Sequence, residues 1–255
     1  MTRLIVNGDD FGMCEGVTLG ILKAYREGIL RSTTMMCNMP FARQAAQMAQ
    51  DYPDLGLGIH FTLTVGKPVC DPKEVSTLVD ENGYFHSQHW YLNNLQSSLD
   101  AINYEEVYKE LRAQLELFTR LNGKFPDHID SHHGATSLPK VHDEAKKLVK
   151  EFDLAVRCTH DYIFSDYERP KFLNYFYDEH ATIDYFLNDH DHICDMSLCE
   201  IMSHPGFVDH YLYTHSSYNI QRAKELDILC DPRVKEWVEK NNIELISFKD
   251  LKHIL

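Results

Sequence analysis

Ionisable side chains recur directly after short apolar segments of this 255-residue chain. The first such segment, residues 3–7, leads straight into the carboxylates of Asp9 and Asp10. Later segments lead to histidines: His60, the pair His132 and His133, and His204. One carboxylate and two imidazoles, with positions left open for water and substrate, would form a catalytic metal site. A second carboxylate could then accept a proton from water, and another histidine could protonate a leaving amine.

Each of these residues also has a simpler interpretation. Adjacent aspartates are equally compatible with a helix N-terminus, where Asp caps the helix and complements its dipole. A single histidine is more often a structural or surface residue than a metal ligand. The recurrence of such residues at the carboxyl ends of several predicted strands favours a site, because active sites of parallel α/β proteins lie there.

Strand-like and helical segments alternate along most of the chain. Hydrophobic periodicity predicts helices over 15–27, 40–48, 104–121, 139–152, 182–188, 219–229 and 234–240 and strands over 3–7, 29–38, 55–61, 127–134, 154–158, 197–203 and 244–248. Without a linker or a repeat, this alternation predicts one α/β domain over 1–255, a single TIM-like (β/α) barrel. Residues from about 62 to 103 interrupt the alternation and predict a long insertion that contacts substrate.

Composition excludes several classes of partner. Lys and Arg total 25 against 39 Asp and Glu, and the net charge of −14 opposes binding to nucleic acid or to an anionic membrane. The seven cysteines include no Cys-x-x-Cys pair, so neither a disulfide framework nor a zinc ribbon is indicated. No leader-like segment or apolar run of membrane-span length is present, which predicts a cytoplasmic location.

Four segments together resemble the signatures of the YdjC family of carbohydrate deacetylases. They read NGDDFG at 7–12, GIHFTLT at 58–64, DSHH at 130–133 and EIMSHPGF at 200–207. Order and spacing agree as far as 217–226, so the resemblance covers nearly the whole chain. It implies a deacetylase-type barrel, irregular or seven-stranded, a divalent cation, and removal of acetate from N-acetylglucosamine units of small chitin fragments.

The resemblance also implies roles for individual residues. It makes Asp10, His60 and His132 the metal ligands, Asp9 the general base, and His204 the candidate acid. Asp130 would then hold a ligand imidazole from behind or simply cap the end of its strand.

One departure from the family pattern concerns the loop after the paired histidines. The family often has a third histidine there and another soon after, whereas this chain has Gly134-Ala135-Thr136. His128 or His133 could substitute as a ligand or substrate contact. For His133 the structural role is favoured, because neighbouring residues on a strand point to opposite sides.

The expected cofactor and substrate follow partly from chemistry. The resemblance suggests Mg²⁺, but two imidazoles with one carboxylate also suit Zn²⁺, Mn²⁺ or Co²⁺. The expected partner is a small oligosaccharide, and a homodimer is left open. Candidate substrate contacts are aromatic faces and guanidinium groups: Trp90, Arg157, Tyr218 and Arg222. For the two arginines, pairing with acids at the surface is the simpler alternative.

Two other functions remain open from the sequence. A glycoside hydrolase acting on small oligosaccharides would place two carboxyl groups on either side of the scissile bond, which the adjacent Asp9 and Asp10 do not easily do. A non-catalytic, metal-dependent sugar-binding protein would need neither the base Asp9 nor the acid His204.

Overall fold

The computed structural model describes residues 1–93, 95–139, 141–159 and 165–254. Within these residues, strands and helices alternate around one parallel sheet. The strands are β1 (Arg3–Phe11), β2 (Ser32–Met35), β3 (Gly56–Phe61), β4 (His128–Ser131), β5 (Ala155–Val156), β6 (Lys171–Leu173), β7 (Leu198–Ser203) and β8 (Glu244–Ile246). The helices are α1 (Glu15–Glu27), α2 (Ala42–Ala49), α3 (Gln88–Asn93), α4 (Leu95–Ala101), α5 (Tyr104–Asn122), α6 (Val141–Phe152), α7 (Ile183–Leu187), α8 (His210–His215), α9 (Ile220–Cys230) and α10 (Pro232–Lys240).

The sheet is a curled half-barrel, which confirms the predicted fold class, an α/β barrel of the deacetylase type. Strand order is β5-β4-β3-β2-β1-β7-β6, and β8 pairs with the first residues of β1. Every strand pairing is parallel. Arg157, directly after β5, reaches Glu200 on β7 across the concave side. All strands therefore present their carboxyl ends at one rim.

Side chains of β1 alternate between two hydrophobic clusters, and this alternation determines on which side of the sheet Asp9 lies. Leu4 and Val6 pack into the main core, whereas Ile5 packs into a second cluster with Ile246 and Phe248. Because alternate residues of a strand face the same side, Asp9 follows Ile5 onto the side of that second cluster. The second cluster therefore lies on the side of the sheet that carries Asp9, closer to the amino end of β1.

The clearest predicted helix is confirmed as α5. Its apolar stripe is buried at Val107, Leu111, Leu115 and Phe118. The Asn103 side chain accepts a hydrogen bond from the Glu105 N–H at the start, and Gly123, with φ of 69°, ends the helix in the left-handed region. Helix α5 packs against α6 and β3.

Several predicted boundaries differ from the structure. The strand predicted over 29–38 is wrong at both ends, because Ile29 N–H bonds to Leu229 in α9 and residues 36–39 form a turn. The helix predicted from 40 begins at Ala42, and position 140 of the predicted helix 139–152 lies outside the described residues. Strand β6 and helix α8 were not predicted. Residues 62–103 hold α3, α4 and a short 3₁₀ turn, and none of the described helices is long and apolar enough to cross a membrane.

Candidate active site

Asp9 and Asp10 lie in β1, so the helix N-terminus interpretation is wrong. Helix α1 begins later, at Glu15. Asp10 has a φ of 73°, a left-handed conformation that Asp tolerates better than most residues, and Met13 N–H bonds back to its carbonyl. Both side chains are buried, yet they contact different groups. The backbone at Asp10 thus turns two neighbouring carboxylates toward separate parts of the rim.

The Asp10 carboxylate meets two imidazoles. Its Oδ1 lies 3.2 Å from Nε2 of His60 and 2.9 Å from Nδ1 of His132. Neighbouring ligands of a four- or six-coordinate cation with bonds of about 2.1 Å lie roughly 3.0 to 3.4 Å apart. The three predicted ligand atoms therefore converge at a spacing that fits one metal ion.

The far side of His60 is held by Asp130, which is one of the two alternatives that the sequence left open for this residue. Its Nδ1 lies 2.6 Å from Asp130 Oδ1, and Thr34 donates to the other Asp130 oxygen at 3.0 Å. Burial opposes the charged imidazole, but Asp130 and Asp10 outweigh it and raise the pKa of His60 to about 10. The surroundings of His60 therefore favour a positive charge, whether a proton or a metal ion.

A second acidic group, Asp9 with His60 and Asp130, is also compact enough to hold an ion. Its oxygens are already engaged by a cation, however, because the Arg157 guanidinium contacts both carboxylates, at 2.7 Å and 2.8 Å. The donor set of Asp10, His60 and His132 is the better fit to a metal.

The two histidines whose roles were open lie in different places. His133, with φ of 55°, packs against His132 with ring centroids 3.8 Å apart and planes tilted by 32°, and it hydrogen-bonds to the Thr64 hydroxyl, so it lines the cavity rather than facing away. His128 is fully buried inside the barrel, where it stacks on Phe248 at 3.7 Å. His128 is not part of the ligand cluster.

The Asp9 carboxylate forms a bidentate ion pair with the Arg157 guanidinium. The two terminal nitrogens of the guanidinium donate to both carboxylate oxygens at 2.7 Å, and Asn7 donates to Oδ1 at 2.9 Å. Burial opposes ionisation of this carboxyl, but Arg157 outweighs it and holds the pKa of Asp9 well below its usual range. The same guanidinium donates from Nε to Glu200 on β7. Asp9 is therefore ionised and fixed in orientation.

His204 follows β7 and faces Asp9. Its Nε2 lies 3.8 Å from Asp9 Oδ2, and its backbone N–H donates to Glu225 Oε2 at 2.5 Å. Burial lowers the pKa of His204 to about 4, so its imidazole is neutral at pH 7. The rings of Tyr177 and Tyr218 pack edge-on against it, each at 5.6 Å between centroids.

Of the predicted substrate contacts, the two arginines lie in the site but are already paired. Arg222 donates from one terminal nitrogen to Asp10 Oδ2 at 2.6 Å. Arg157 and Arg222 are only 6% and 3% exposed, so the alternative of surface pairing is wrong. Sequence reasoning did not assign these partners, nor the buried carboxylates of Glu200 and Glu225.

The two predicted aromatic contacts are placed less directly. Tyr218 lines the cavity, but Tyr177 stacks on its ring at 4.5 Å and its hydroxyl donates to Glu225. Trp90 stacks on His86 in the insertion and lines a separate shallow depression. The insertion does reach the central cavity through residues 87–89.

One cavity of about 930 Å³ brings the predicted groups together. Its lining includes the three proposed ligands, Asp9 and His204. A cavity of this size accommodates a small oligosaccharide or another ligand of drug-like size. The three candidate metal ligands, the ionised carboxylate of Asp9 and the neutral imidazole of His204 thus share one substrate-sized cavity.

Comparison with known proteins places this site in a family. Residues 3–240 match the family model described as YdjC-like protein. The chain belongs to the YdjC family. A carbohydrate deacetylase of Thermoanaerobacter pseudethanolicus is 39% identical over 99% of this chain and 100% of its own. The carbohydrate deacetylase of Geobacillus stearothermophilus is 37% identical over 96% of each chain. The predicted family and the predicted enzyme class, a hydrolase, are confirmed.

Solved structures agree with the fold. A proposed cellobiose-phosphate cleavage protein from Enterococcus faecalis V583 superposes with a TM-score of 0.88 and 33% identity, covering 97% of this chain and 98% of that one. The polysaccharide deacetylase Bc1974 from Bacillus cereus superposes with a TM-score of 0.51 at 10% identity, over 97% and 92% of the two chains. The YdjC chain therefore shares the architecture of a polysaccharide deacetylase.

Proposed function

We propose that this YdjC-family enzyme hydrolyses the N-acetyl group of small N-acetylated sugars, such as chitooligosaccharides, with the help of one divalent cation. The observation that carries the proposal is the convergence of Asp10, His60 and His132 beside Asp9 and His204 in one cavity. An amide is a poor electrophile and its amine a poor leaving group. Its hydrolysis therefore needs a Lewis acid for the carbonyl, a base for the attacking water and an acid for the leaving amine.

The cation would be held by Asp10 Oδ1, His60 Nε2 and His132 Nδ1. It would supply Lewis acidity, which polarises the acetyl carbonyl and lowers the pKa of a water molecule. Mg²⁺ is the family expectation, while the two imidazoles also suit Zn²⁺, Mn²⁺ or Co²⁺.

Asp9 is placed to act as the general base. Because Arg157 keeps its carboxylate ionised, Asp9 can accept a proton at neutral pH. The bidentate ion pair with Arg157 also fixes the orientation of the Asp9 carboxylate and so the direction of its remaining lone pairs. The same charge makes Asp9 a weak base, so its proton must pass on readily to another group.

His204 is the nearest candidate for that second group. A neutral imidazole must gain a proton before it can donate one, and His204 Nε2 is 3.8 Å from Asp9 Oδ2. The proton that Asp9 takes from water therefore has a short path to His204, which then protonates the leaving nitrogen of the sugar. One proton is moved from the nucleophile to the leaving group, and the site returns to its starting state.

The glycoside hydrolase alternative fits these residues less well. Such an enzyme needs one carboxylic acid that is protonated at working pH. Asp9 and Asp10 each pair with an arginine, and the pKa of both carboxyls lies well below the usual range despite burial. Neither residue could serve as that acid.

The test uses protein stripped with a chelator and reloaded separately with Mg²⁺, Zn²⁺, Mn²⁺ or Co²⁺. Each form is incubated with diacetylchitobiose and its longer homologues, and acetate and product mass are followed. Loss of one acetyl group with an intact glycosidic bond is expected with at least one metal. Cellobiose, which has no acetyl group, serves as the matched control and should remain unchanged. Shortened sugars without acetate would support the glycosidase, and no reaction would support the sugar-binding protein.

A further inference from the structure

A buried glutamate that has no part in the proposed proton transfers lies directly behind His204. Glu225, on α9, is fully buried, and each of its oxygens accepts one hydrogen bond. Oε2 accepts from the His204 backbone N–H at 2.5 Å, and Oε1 accepts from the Tyr218 hydroxyl. This carboxylate thus ties the chain at His204 to an aromatic side chain of the cavity wall.

His204 lacks the kind of support that His60 has. His60 is oriented by Asp130 on its Nδ1, whereas Nδ1 of His204 is buried without a hydrogen-bond partner among the described residues. Among the described residues, the orientation of the His204 ring therefore depends on the position of its backbone and on the packing of neighbouring rings. Both can be traced to one residue.

The neighbouring rings are those of Tyr177 and Tyr218. They stack on each other at 4.5 Å and 5° between planes, and each meets the His204 ring at about a right angle. Edge-to-face contacts of this kind are directional, so a shift of either ring changes the favoured orientation of the imidazole. Glu225 holds the Tyr218 hydroxyl, and through Tyr218 it holds the pair.

A buried carboxylate is costly unless its hydrogen bonds are made. Burial raises the pKa of Glu225 to about 7, although the Tyr218 hydroxyl and the His204 N–H counter that rise. An apolar residue would fill this position in the core at lower cost. The position therefore carries a group that makes two specific bonds, and both bonds lead to the imidazole.

We propose that Glu225 is a positioning residue, which fixes the His204 imidazole toward Asp9 by holding the His204 backbone and the Tyr218 hydroxyl together. This inference rests on the proposed role of His204 as the acid. It concerns the rate of the chemical step rather than metal or substrate binding. Glu225 contacts none of the three proposed metal ligands in the described hydrogen bonds.

Three variants separate positioning from folding. Glu225→Leu removes both bonds at similar volume, and kcat is expected to fall about 10- to 100-fold, part of the range for general acid catalysis. Glu225→Gln keeps an acceptor for the His204 N–H and can donate to the Tyr218 oxygen, so it should recover most of kcat. Tyr218→Phe removes only the hydroxyl and should give an intermediate loss. In all three, metal content should change less than about twofold, since the proposed metal ligands are untouched. KM should also change less than about twofold in the two Glu225 variants, because Glu225 does not line the cavity.

Glu110 offers a matched control. It is also fully buried and hydrogen-bonded on both oxygens, which accept from the backbone N–H groups of Val69 and Cys70 and from the side-chain amide of Gln114, but it lies on α5 rather than beside His204. Glu110→Leu should lower the unfolding midpoint by an amount comparable with Glu225→Leu while leaving kcat unchanged. A purely structural role for Glu225 would make the two glutamate positions behave alike.

A readout without turnover protects the test if Glu225→Leu folds poorly. In ¹⁵N-labelled protein loaded with metal, the His204 ring nitrogens should shift in Tyr218→Phe, which loses a bond to Glu225, but not in Glu110→Gln, and only slightly in Glu225→Gln. Unchanged kcat and unchanged ring signals in an active enzyme would overturn the inference alone. A parent protein that releases no acetate with any metal would overturn the proposed function and the inference with it.

Discussion

Asp9 and Asp10 are neighbours in the chain, yet their carboxylates lie in two different environments. Both oxygens of Asp9 are taken by the forked guanidinium of Arg157. Asp10 receives only one bond from Arg222, on Oδ2, and turns Oδ1 to two imidazoles. One residue type therefore occurs twice in succession with two sets of partners.

This difference indicates how the two roles are divided. A bidentate guanidinium replaces a metal as the counter-charge of a carboxylate and still leaves it lone pairs that can accept a proton. A single bond to one oxygen leaves the other available, and neutral imidazoles can share a cation with it. In the proposed mechanism, the arginines therefore determine which aspartate would bind the metal and which would act as the base.

The largest effect is expected from removing one of the three proposed metal ligands around Asp10. Substituting Asp10, His60 or His132 by Ala should eliminate metal retention and activity, because two ligands hold a cation far less tightly than three. Metal content is measured by elemental analysis after desalting. His133→Ala, at the adjacent position, should retain its metal. Full occupancy in all three ligand variants would show the assignment to be wrong.

Changing the Asp9 side should have a different result. Asp9→Asn should keep the metal but lower turnover by about 10²- to 10⁴-fold, because an amide cannot accept the proton. His204→Ala should likewise retain metal and fall within a similar range. Rates are compared at equal metal content, with Asp10→Asn as the variant expected to lose metal instead. Turnover of Asp9→Asn close to that of the parent would remove Asp9 as the base.

The sequence predicts one part of this site well, namely the residues at strand ends. Asp9, Asp10, His60, His132 and His204 each follow an apolar run, and parallel strands bring their carboxyl ends to one rim. The fold class and the meeting of these strand-end residues at one rim could therefore be predicted from the pattern, whereas the choice of Asp10, His60 and His132 as metal ligands depended on the family resemblance.

The partners of these residues could not be predicted, because they come from distant parts of the chain. Arg157 and Asp9 are 148 positions apart, and Arg222 and Asp10 are 212 apart. Composition gives no sign of which acid a buried arginine meets, and surface pairing is its commoner state. The position of Trp90 outside the lining of the central cavity could not be predicted for a related reason: it depends on how α3 packs within the insertion, which periodicity does not define.

The two arginines give the finest test of the comparison, through stability rather than rate. Arg157 contacts three buried carboxylates, those of Asp9, Asp130 and Glu200. Arg157→Met should therefore destabilise the fold by about 3 to 5 kcal/mol, the usual cost of leaving buried charges unpaired. Arg222→Met should cost less, on the order of 1 to 3 kcal/mol, because Asp10 keeps its two imidazoles. Unfolding in urea is measured without metal, so that metal binding does not offset the loss.

The pH dependence of the stability lost in Arg157→Met shows whether charge causes that loss. The pKa of Asp9 is depressed in the folded parent, so the stability it contributes is present above the unfolded pKa and lost only as pH falls through the folded value. Without Arg157 this depression disappears, and acid relieves the unpaired carboxylates. The difference in unfolding free energy between parent and Arg157→Met should therefore be largest near pH 8 and smaller near pH 5. A gap independent of pH would mean that Arg157 stabilises the barrel through packing, and that its charge does not set the state of Asp9.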